Sequence, residues 1–295
     1  MFPDMSSKFS FCINFSAITL KFTLPTKINL PDCFCDLLCE DTDTPDCEYR
    51  VELLRSPLCP EGTVIYEQKD FTVYAEKDGF LRLYTPLTAE DGCCVACLVR
   101  KNGQNVLYYP ESMWEHYSSY WHCTHLLCGE LLLRNFDAVL LHSSVVLHEN
   151  KTLLFCGASG AGKSTQAELW KQYRNAEIIN GDRAVITKKD ITFCAGGSPW
   201  CGTSRIHRKE QAPLAGIFVL RKHSENIVRP LKSEAFATLF SQTTVNQWDK
   251  DFVDFVCTFY IDLLTNVPVY ELSCRPDKEA TDLAYNTIFN KEGTQ

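Results

Sequence analysis

Short runs in which apolar and polar residues alternate fill the first third of the chain and predict β-strands. The alternation is clearest in Phe9–Phe15 and Ile18–Leu24, each of which would face a core on one side. Similar runs, separated by turn signals such as Asp78-Gly79, follow at residues 49–54, 64–68, 71–75, 80–84, 95–99 and 105–109. Residues 1–110 are therefore predicted to form a β-rich, antiparallel N-terminal domain.

The period of the apolar positions changes after Pro110, which suits the start of a helix. Large apolar residues then recur at steps of three and four, as on one face of a helix: Met113, Trp114, Tyr117, Tyr120, Trp121, Leu127 and Leu131. This pattern predicts one bridging helix over residues 111–136. An aromatic stripe of this kind is typical of core packing rather than of a platform for a ligand.

Strands and helices are both predicted in the rest of the chain, residues 137–295. Residues 138–148 and 151–156 read as two strands joined by the tight turn Glu149-Asn150, and a run of good helix formers follows at residues 166–173. Further strands are predicted at 176–182, 214–220 and 267–273, and helices at 236–240, 252–264 and 278–288. The fold class predicted for the whole chain is α/β of the α+β type.

A phosphate-binding motif of the form G-x-x-x-x-G-K-[ST] lies between the strand ending at Cys156 and the next helix. Glycines let successive backbone N–H groups converge on one point, and the helix start adds unpaired N–H groups and a positive dipole end. In this motif the lysine reaches the outer phosphates and the hydroxyl that follows it ligates Mg²⁺. A glycine-rich turn that binds nothing is the alternative, which the flanking strand and helix disfavour. The predicted nucleotide-binding residues are Gly157, Ala158, Ser159, Gly160, Ala161, Gly162, Lys163, Ser164 and Thr165.

Asp182 ends the apolar strand that follows the predicted loop helix. Its position and type fit a second Mg²⁺ ligand or a base that takes a proton from an attacking hydroxyl. A turn-capping aspartate is the structural alternative.

Further on, glycines and a proline surround Trp200 in a loop of defined shape, and loops of that kind often carry sites. The basic residues that follow this loop either receive an anionic substrate or are simply solvated: Arg205, His207, Arg208 and Lys209.

Four segments together resemble uncharacterised proteins related to the C-terminal domain of HPr kinase/phosphorylase, a family whose nucleotide-binding core is shared with phosphoenolpyruvate carboxykinase. The segments are Leu141-His142-Ser143, the loop 157–165, the strand end 180–185, and 197–202. The resemblance covers roughly residues 130 to 290 and implies a P-loop ATP-binding domain over 137–295.

The resemblance implies ATP-dependent phosphorylation of a hydroxyl, with Mg²⁺ as the metal. His142 matches the family's active-site histidine, and Asp182 matches one of two adjacent acids, whose neighbour here is Gly181. Whether Asp182 is the base, a Mg²⁺ ligand or both therefore stays open, and the reverse phosphorylase reaction is in doubt. HPr is not expected as the acceptor, because the C-terminal signature loop of the true HPr kinases is absent.

The predicted activity is an ATP-dependent kinase that transfers the γ-phosphoryl group to a serine-type hydroxyl of a peptide, protein or small molecule. Asp182, His142 and Lys163 are the predicted catalytic residues, and Ser164 and Asp182 the predicted metal ligands. A small-molecule kinase of another P-loop lineage is one alternative. A non-catalytic, nucleotide-dependent binding module that partners a peptide-modifying system is another.

Composition sets the remaining expectations. The chain has 295 residues, enough for about two domains, and its net charge of −8 argues against a nucleic-acid surface. No apolar run approaches the roughly 20 residues of a membrane span, and the N-terminus lacks a signal-peptide pattern. A cytoplasmic protein is therefore expected. Homo-oligomerisation is left open. The 16 cysteines show no paired C-x-x-C spacing typical of zinc, which favours reduced, buried thiols over a metal site.

Overall fold

The computed structural model describes residues 8–290, which form two compact units. The first unit comprises residues 8–14 and 18–132, and the second comprises residues 15–17 and 133–290. Each unit contains a large sheet, so the protein is of mixed α/β class. The outermost residues of the predicted domains 1–110 and 137–295, namely 1–7 and 291–295, lie outside the described part of the chain.

A nine-stranded sheet dominates the first unit. Its strands are β1 (Phe9–Phe15), β2 (Ile18–Leu24), β3 (Leu38–Cys39), β4 (Cys47–Leu54), β5 (Thr63–Glu67), β6 (Thr72–Glu76), β7 (Gly79–Thr88), β8 (Cys94–Arg100) and β9 (Gln104–Pro110). They are ordered β3-β1-β2-β4-β9-β8-β7-β6-β5. The alternation read from the sequence appears as burial of every second residue in β2, so the predicted strands at 9–15 and 18–24 are confirmed.

The prediction of a wholly antiparallel sheet is wrong at β4. This strand runs parallel to β2 on one side and to β9 on the other. Parallel neighbours need a long crossover connection. The chain supplies one between Leu24 and Cys47, which contains the short helix α1 (Asp32–Cys35), and another between Leu54 and Gln104. Apolar alternation is the same for either direction of pairing, which is why the sequence pattern missed this feature.

The single bridging helix predicted over residues 111–136 is also wrong. The segment forms a 3₁₀ turn at Glu111–His116, helix α2 (Tyr120–His125), helix α3 (Gly129–Leu133) and a second 3₁₀ turn at Arg134–Phe136.

Two residues break the helical path. Ser119 is extended, with φ −68° and ψ 145°, and its hydroxyl accepts from the N–H of His122, which starts a new helix. Cys128 has a φ of 50° and turns the chain before α3. As a result Trp121, which the predicted apolar stripe would bury, is 44% exposed, whereas Tyr117 and Leu127 are buried.

The second unit contains an eight-stranded sheet with helices packed on it. Its strands are β10 (Ala138–His148), β11 (Lys151–Cys156), β12 (Glu177–Asn180), β13 (Arg183–Lys189), β14 (Thr192–Gly196), β15 (Gln211–Lys222), β16 (Ile227–Pro230) and β17 (Val269–Cys274). Its helices are α4 (Lys163–Arg174), α5 (Ala235–Gln242), α6 (Lys250–Asn266) and α7 (Lys278–Phe289). No helix within residues 8–290 is both long and apolar enough to cross a membrane.

Two long strands, β10 and β15, close part of this sheet on itself. The first half of β10 pairs with β13 and the second half with β11, in the predicted hairpin turning at Glu149-Asn150. β15 pairs with β14 at its start, and further along it pairs in parallel with β11 and β17. Strand β11, which feeds the glycine loop, is thus held on both edges. The loop therefore starts from a rigid support.

The core of this unit lies between the sheet and helix α4. Trp170 of α4 is fully buried against Phe155 of β11, with ring centroids 6.0 Å apart, and Leu153, Phe218 and Ala284 belong to the same cluster. Burial of one aromatic side chain of this kind contributes roughly 1.5–3 kcal/mol. This packing fixes α4, and with it the loop at its N-terminus.

Candidate functional site

The glycine loop runs from the end of β11 to the first residue of α4. Gly157, Gly160 and Gly162 have φ values of 144°, 75° and 107°, a region that L-residues rarely adopt. A side chain at Gly160 or Gly162 would meet nothing within 4 Å, so the main chain there faces open space. The loop can therefore accept a group of atoms beside its backbone, as phosphate binding requires.

Lys163 is the first residue of α4 and is only 9% exposed. Its Nζ donates to the carbonyl oxygens of Gly157, at 3.0 Å, and Ala158, at 3.3 Å. Burial lowers the pKa of this amine, and the negative charge of Asp182 opposes that shift. Ser164 and Thr165, next on the helix, are exposed. The lysine thus lies under its own loop, within the electrostatic reach of Asp182.

Asp182 lies in a tight connection between β12 and β13. Its backbone N–H and that of Arg183 both donate to Oδ1 of Asn180, each at 2.9 Å. Its carbonyl accepts from the N–H of Ser143 in β10 at 2.9 Å. The carboxylate is therefore carried by a backbone that three hydrogen bonds hold in place.

His142 lies on β10 directly opposite Arg183 of β13. Its Nε2 is 3.6 Å from Oδ1 of Asp182, and both side chains are about one-third exposed, at 35% and 30%. The pKa of His142 is lowered, first by burial and then by the positive charge of Lys163, while Asp182 opposes the shift. The fold thus brings His142, Lys163 and Asp182 together, although 40 positions separate the first from the last in the sequence.

The loop around Trp200 approaches the side chain of Asp182 closely at Gly202. Gly202 has a φ of 57°, and a Cβ at this position would lie 2.7 Å from Cγ of Asp182. Such contacts require that something shift, so the glycine is needed for this close approach. The loop expected to carry a site therefore packs directly on the candidate acid.

Arg183, the next residue in the chain, lies beside the carboxylate of Asp182. Its Nε is 3.6 Å from Oδ2 of Asp182, and its Nη1 donates to Oγ1 of Thr244 at 2.7 Å. Thr244 is anchored in turn, because its N–H donates to the carbonyl of Leu140 on β10. Nothing in the sequence signals this contact, since 61 positions separate Arg183 from Thr244. The arginine adds a positive charge beside the carboxylate.

The basic residues after this loop divide into two kinds. His207 is 6% exposed and forms a β-bridge with Asn180, which makes it part of the framework. Arg208 lies 3.5 Å from Oε2 of Glu177, in an exposed ion pair of small energetic value. Arg205 is exposed and has a φ of 53°. Of these four residues His207 alone is buried, whereas Arg205, Arg208 and Lys209 are exposed.

The oxygen atoms that could coordinate a cation at this site are of a kind that suits Mg²⁺ bound together with a nucleotide. Within residues 8–290, no group of three or more His, Cys, Asp or Glu side chains could hold a metal ion. A hydroxyl at Ser164 and a carboxylate at Asp182 are hard oxygen ligands, and Mg²⁺ is commonly bound by one or two protein groups plus phosphates and water. The residues present therefore suit Mg²⁺ bound together with ATP, and they do not suit an independent all-protein metal site.

Nine of the 16 cysteines are buried. Cys156, at the end of β11, has its pKa raised to about 12 by burial. A thiol held in this way is un-ionised at neutral pH and packs as a small apolar group.

Comparison with solved structures finds likenesses to known proteins. The chain is similar to the HPr(Ser) kinase/phosphatase from Coxiella burnetii, with 12% identity and a TM-score of 0.30, over 51% of this chain and 88% of that chain. No family model and no curated protein matches the sequence. Both the identity and the TM-score are too low to assign a family or an activity, so the site geometry carries the functional argument.

Proposed function

We propose that the protein is an ATP-dependent kinase whose active site is formed by the glycine loop, Lys163, His142 and Asp182. One observation carries this proposal: Nε2 of His142 lies 3.6 Å from Oδ1 of Asp182, and the loop that ends at Lys163 has open space at two glycines. On this proposal residues 137–295 form the nucleotide-binding domain.

The loop and Lys163 would bind the phosphates of ATP. Backbone N–H groups of the loop and the start of α4 supply donors and a positive dipole end. Lys163 now donates to two loop carbonyls, and its amine would exchange these neutral partners for phosphate oxygens. A phosphate oxygen adds an attraction between opposite charges that a neutral carbonyl lacks, which favours the exchange.

Ser164 and Asp182 would hold Mg²⁺ together with the phosphates. The ion would neutralise the charge that develops on the transferred phosphoryl group. Arg183 would keep the Asp182 carboxylate oriented, because its Nε lies 3.6 Å from one carboxylate oxygen while His142 lies 3.6 Å from the other.

The chemical step would be in-line displacement at the γ-phosphorus. The acceptor oxygen forms a bond to phosphorus, the bond from phosphorus to the β–γ bridging oxygen breaks, and ADP leaves with the bonding electron pair. The acceptor proton passes to the carboxylate of Asp182. His142 is neutral at pH 7, because burial and Lys163 lower its pKa, and it would support Asp182 without adding a competing positive charge.

Two substitutions test this assignment. Asp182→Asn should reduce phosphoryl transfer by about 10²–10⁴-fold while ATP binding changes little, since only proton transfer and metal ligation are lost. Lys163→Ala should weaken both binding and transfer. The measurements are ATP affinity by calorimetry, and transfer of label from γ-labelled ATP to a cell lysate, to single-serine peptides and to free serine.

Matched controls are Asp190→Asn, in the turn after β13, and Lys171→Ala, on the exposed face of α4. Both should behave as wild type. Unchanged transfer by Asp182→Asn would reject the role given to this carboxylate. If the wild-type protein bound ATP tightly but labelled none of these acceptors, the protein would be a nucleotide-dependent binding module instead.

A further inference from the structure

Asn180, the last residue of β12, is completely buried and uses all its hydrogen-bonding capacity. A side-chain amide offers one oxygen that accepts twice and one nitrogen that donates twice. In this position the four bonds go to two different segments, one that carries Asp182 and one that belongs to the loop around Trp200.

The oxygen of Asn180 fixes the segment that carries the acid. Oδ1 accepts from the backbone N–H groups of Asp182 and Arg183, both at 2.9 Å. Asparagine commonly makes such a turn with the N–H two residues on. The bonds orient Asp182 toward His142 and Arg183, the two side chains that lie within 3.6 Å of its carboxylate.

The nitrogen of Asn180 fixes the loop that packs on the acid. Nδ2 donates to the carbonyl of Ser198 at 3.0 Å and to its hydroxyl at 3.3 Å. The Ser198 hydroxyl donates to the carbonyl of Arg183 at 2.8 Å and accepts from the N–H of Trp200. Gly202, four residues after Ser198, lies close to the side chain of Asp182.

A local irregularity in the sheet lies next to Asn180. The pairing of β10 with β12 shifts register between Val145 and Val146, so that Val145 faces Asn180. Bulges of this kind re-aim side chains and are over-represented next to active sites. The register shift and the fully satisfied amide are two independent observations on the same residue.

We infer that Asn180 is a positioning residue of the kinase site, which aligns the Asp182 carboxylate by tying the β12–β13 turn to the Ser198–Gly202 loop. This inference rests on the proposed function. Asn180 is completely buried and would touch neither nucleotide nor acceptor, so its removal should lower the rate of transfer and leave the binding of ATP nearly unchanged. A misplacement of about 1 Å can cost about 10²-fold in rate.

The test compares four variants in the full-length protein. Asn180→Ala removes all four bonds, and Ser198→Ala removes the hydroxyl link. Asn180→Asp keeps an oxygen that can accept from the two N–H groups. The matched control is Asn105→Ala, because Asn105 is also buried and its Oδ1 accepts from a backbone N–H, that of Arg100, in the first unit.

The probe is Mg²⁺ with γ-labelled ATP and a library of single-serine peptides, and kcat and the KM for ATP are measured per folded molecule. We expect kcat to fall about 10²-fold in Asn180→Ala, with KM changed less than about threefold. We expect kcat to fall in Asn180→Asp as well, because both donors to Ser198 are lost. Asn105→Ala should keep both constants. Hydrogen exchange at the Asp182 and Arg183 amides should accelerate in Asn180→Ala and stay slow in Asn105→Ala.

The outcomes separate the two proposals. No transfer by the wild-type protein overturns the kinase assignment and this inference together. Transfer by the wild type with an equal kcat in Asn180→Ala overturns only the positioning role. Equal losses of kcat in Asn180→Ala and Asn105→Ala would show a general effect of a lost buried amide and would also overturn it. If Asn180→Ala does not fold, the comparison of Ser198→Ala with Asn105→Ala decides the question by the same criteria.

Discussion

Single residues determine how closely other groups approach Asp182. His142 lies 3.6 Å from one carboxylate oxygen, and Arg183 lies 3.6 Å from the other. Gly202 is close enough that one added carbon would lie 2.7 Å from the carboxyl carbon. The carboxylate therefore has a titratable histidine and a positively charged arginine as neighbours. Its position also requires that residue 202 have no side chain.

Gly202→Ala is expected to impair transfer by displacing Asp182. Two costs act together: the alanine would be strained at a φ of 57°, and its Cβ would overlap the carboxyl group. We expect kcat to fall by about 10–100-fold with a smaller change in ATP affinity, because the misplaced group acts in the chemical step. Steady-state kinetics with γ-labelled ATP measures kcat and the KM for ATP separately.

The matched control is Gly92→Ala in the first unit. Gly92 also has a positive φ, 79°, but a Cβ there would meet only Cγ of Pro57 at 3.5 Å, an ordinary contact. It should show a similar loss of stability from backbone strain and no change in kcat. A comparable loss of kcat in both variants would mean that strain alone accounts for the effect.

At the scale of elements, helix α4 is anchored by an aromatic cluster that also encloses a histidine. The ring of His148, at the end of β10, lies 5.7 Å from the rings of Trp170 and Tyr285 and 5.5 Å from that of Phe289. Burial lowers the pKa of His148, and the carboxylate of Glu149 opposes the shift. The cluster therefore favours the neutral ring.

The free energy of unfolding should depend on pH through His148. Its pKa in the folded state lies below the ordinary value of 6.5, so between these two pKa values the unfolded chain binds more protons than the folded one. This contribution is fully present above about pH 6.5 and is lost as the pH falls through the folded-state pKa. Stability should therefore rise with pH across that interval.

Urea unfolding at a series of pH values between about 4 and 7 measures this dependence. His148→Phe should flatten the curve in that range, because phenylalanine does not titrate and fits an aromatic cluster. His116→Phe, at an exposed position, is the matched substitution of histidine by phenylalanine. A curve with the same slope in His148→Phe would assign the pH dependence to other groups.

At the scale of the whole molecule, the thiols are unusually numerous and mostly inaccessible. Nine of the 16 cysteines are buried, five are partly exposed, and Cys35 and Cys59 are exposed. Reactivity of a thiol requires both access and ionisation. Burial raises the pKa of three deeply placed thiols to about 12: Cys47, Cys123 and Cys156.

Thiol titration should therefore distinguish the folded protein sharply from the unfolded one. In native buffer an aromatic disulfide reagent should modify Cys35 and Cys59 rapidly, and the nine buried thiols only as fast as the protein opens. In denaturant without reductant all 16 should react. Replacing the two exposed cysteines with serine should remove the fast phase. A total below 16 in denaturant would reveal disulfides or bound metal.

Local signals predicted most of the elements well. The alternating runs gave β1 and β2 with their correct ends, and the run at 252–264 lies inside α6. Local signals failed where the deciding contact is distant in sequence. Strands β13 and β14 were not predicted, and the parallel direction of β4 depends on partners from β2 and β9.

The sequence by itself determined the chemistry available at the site. The motif at 157–165 and the acid at 182 are local patterns, and local patterns follow from steric and hydrogen-bonding rules that act over a few residues. The tertiary structure alone decided which groups meet. His142, Lys163 and Asp182 come together because β10 is shared between β11 and β13, and Asn180, Arg183 and Thr244 gain their partners only when those strands pair. The physical reason is that register and burial depend on contacts between distant segments, which no short window of residues contains.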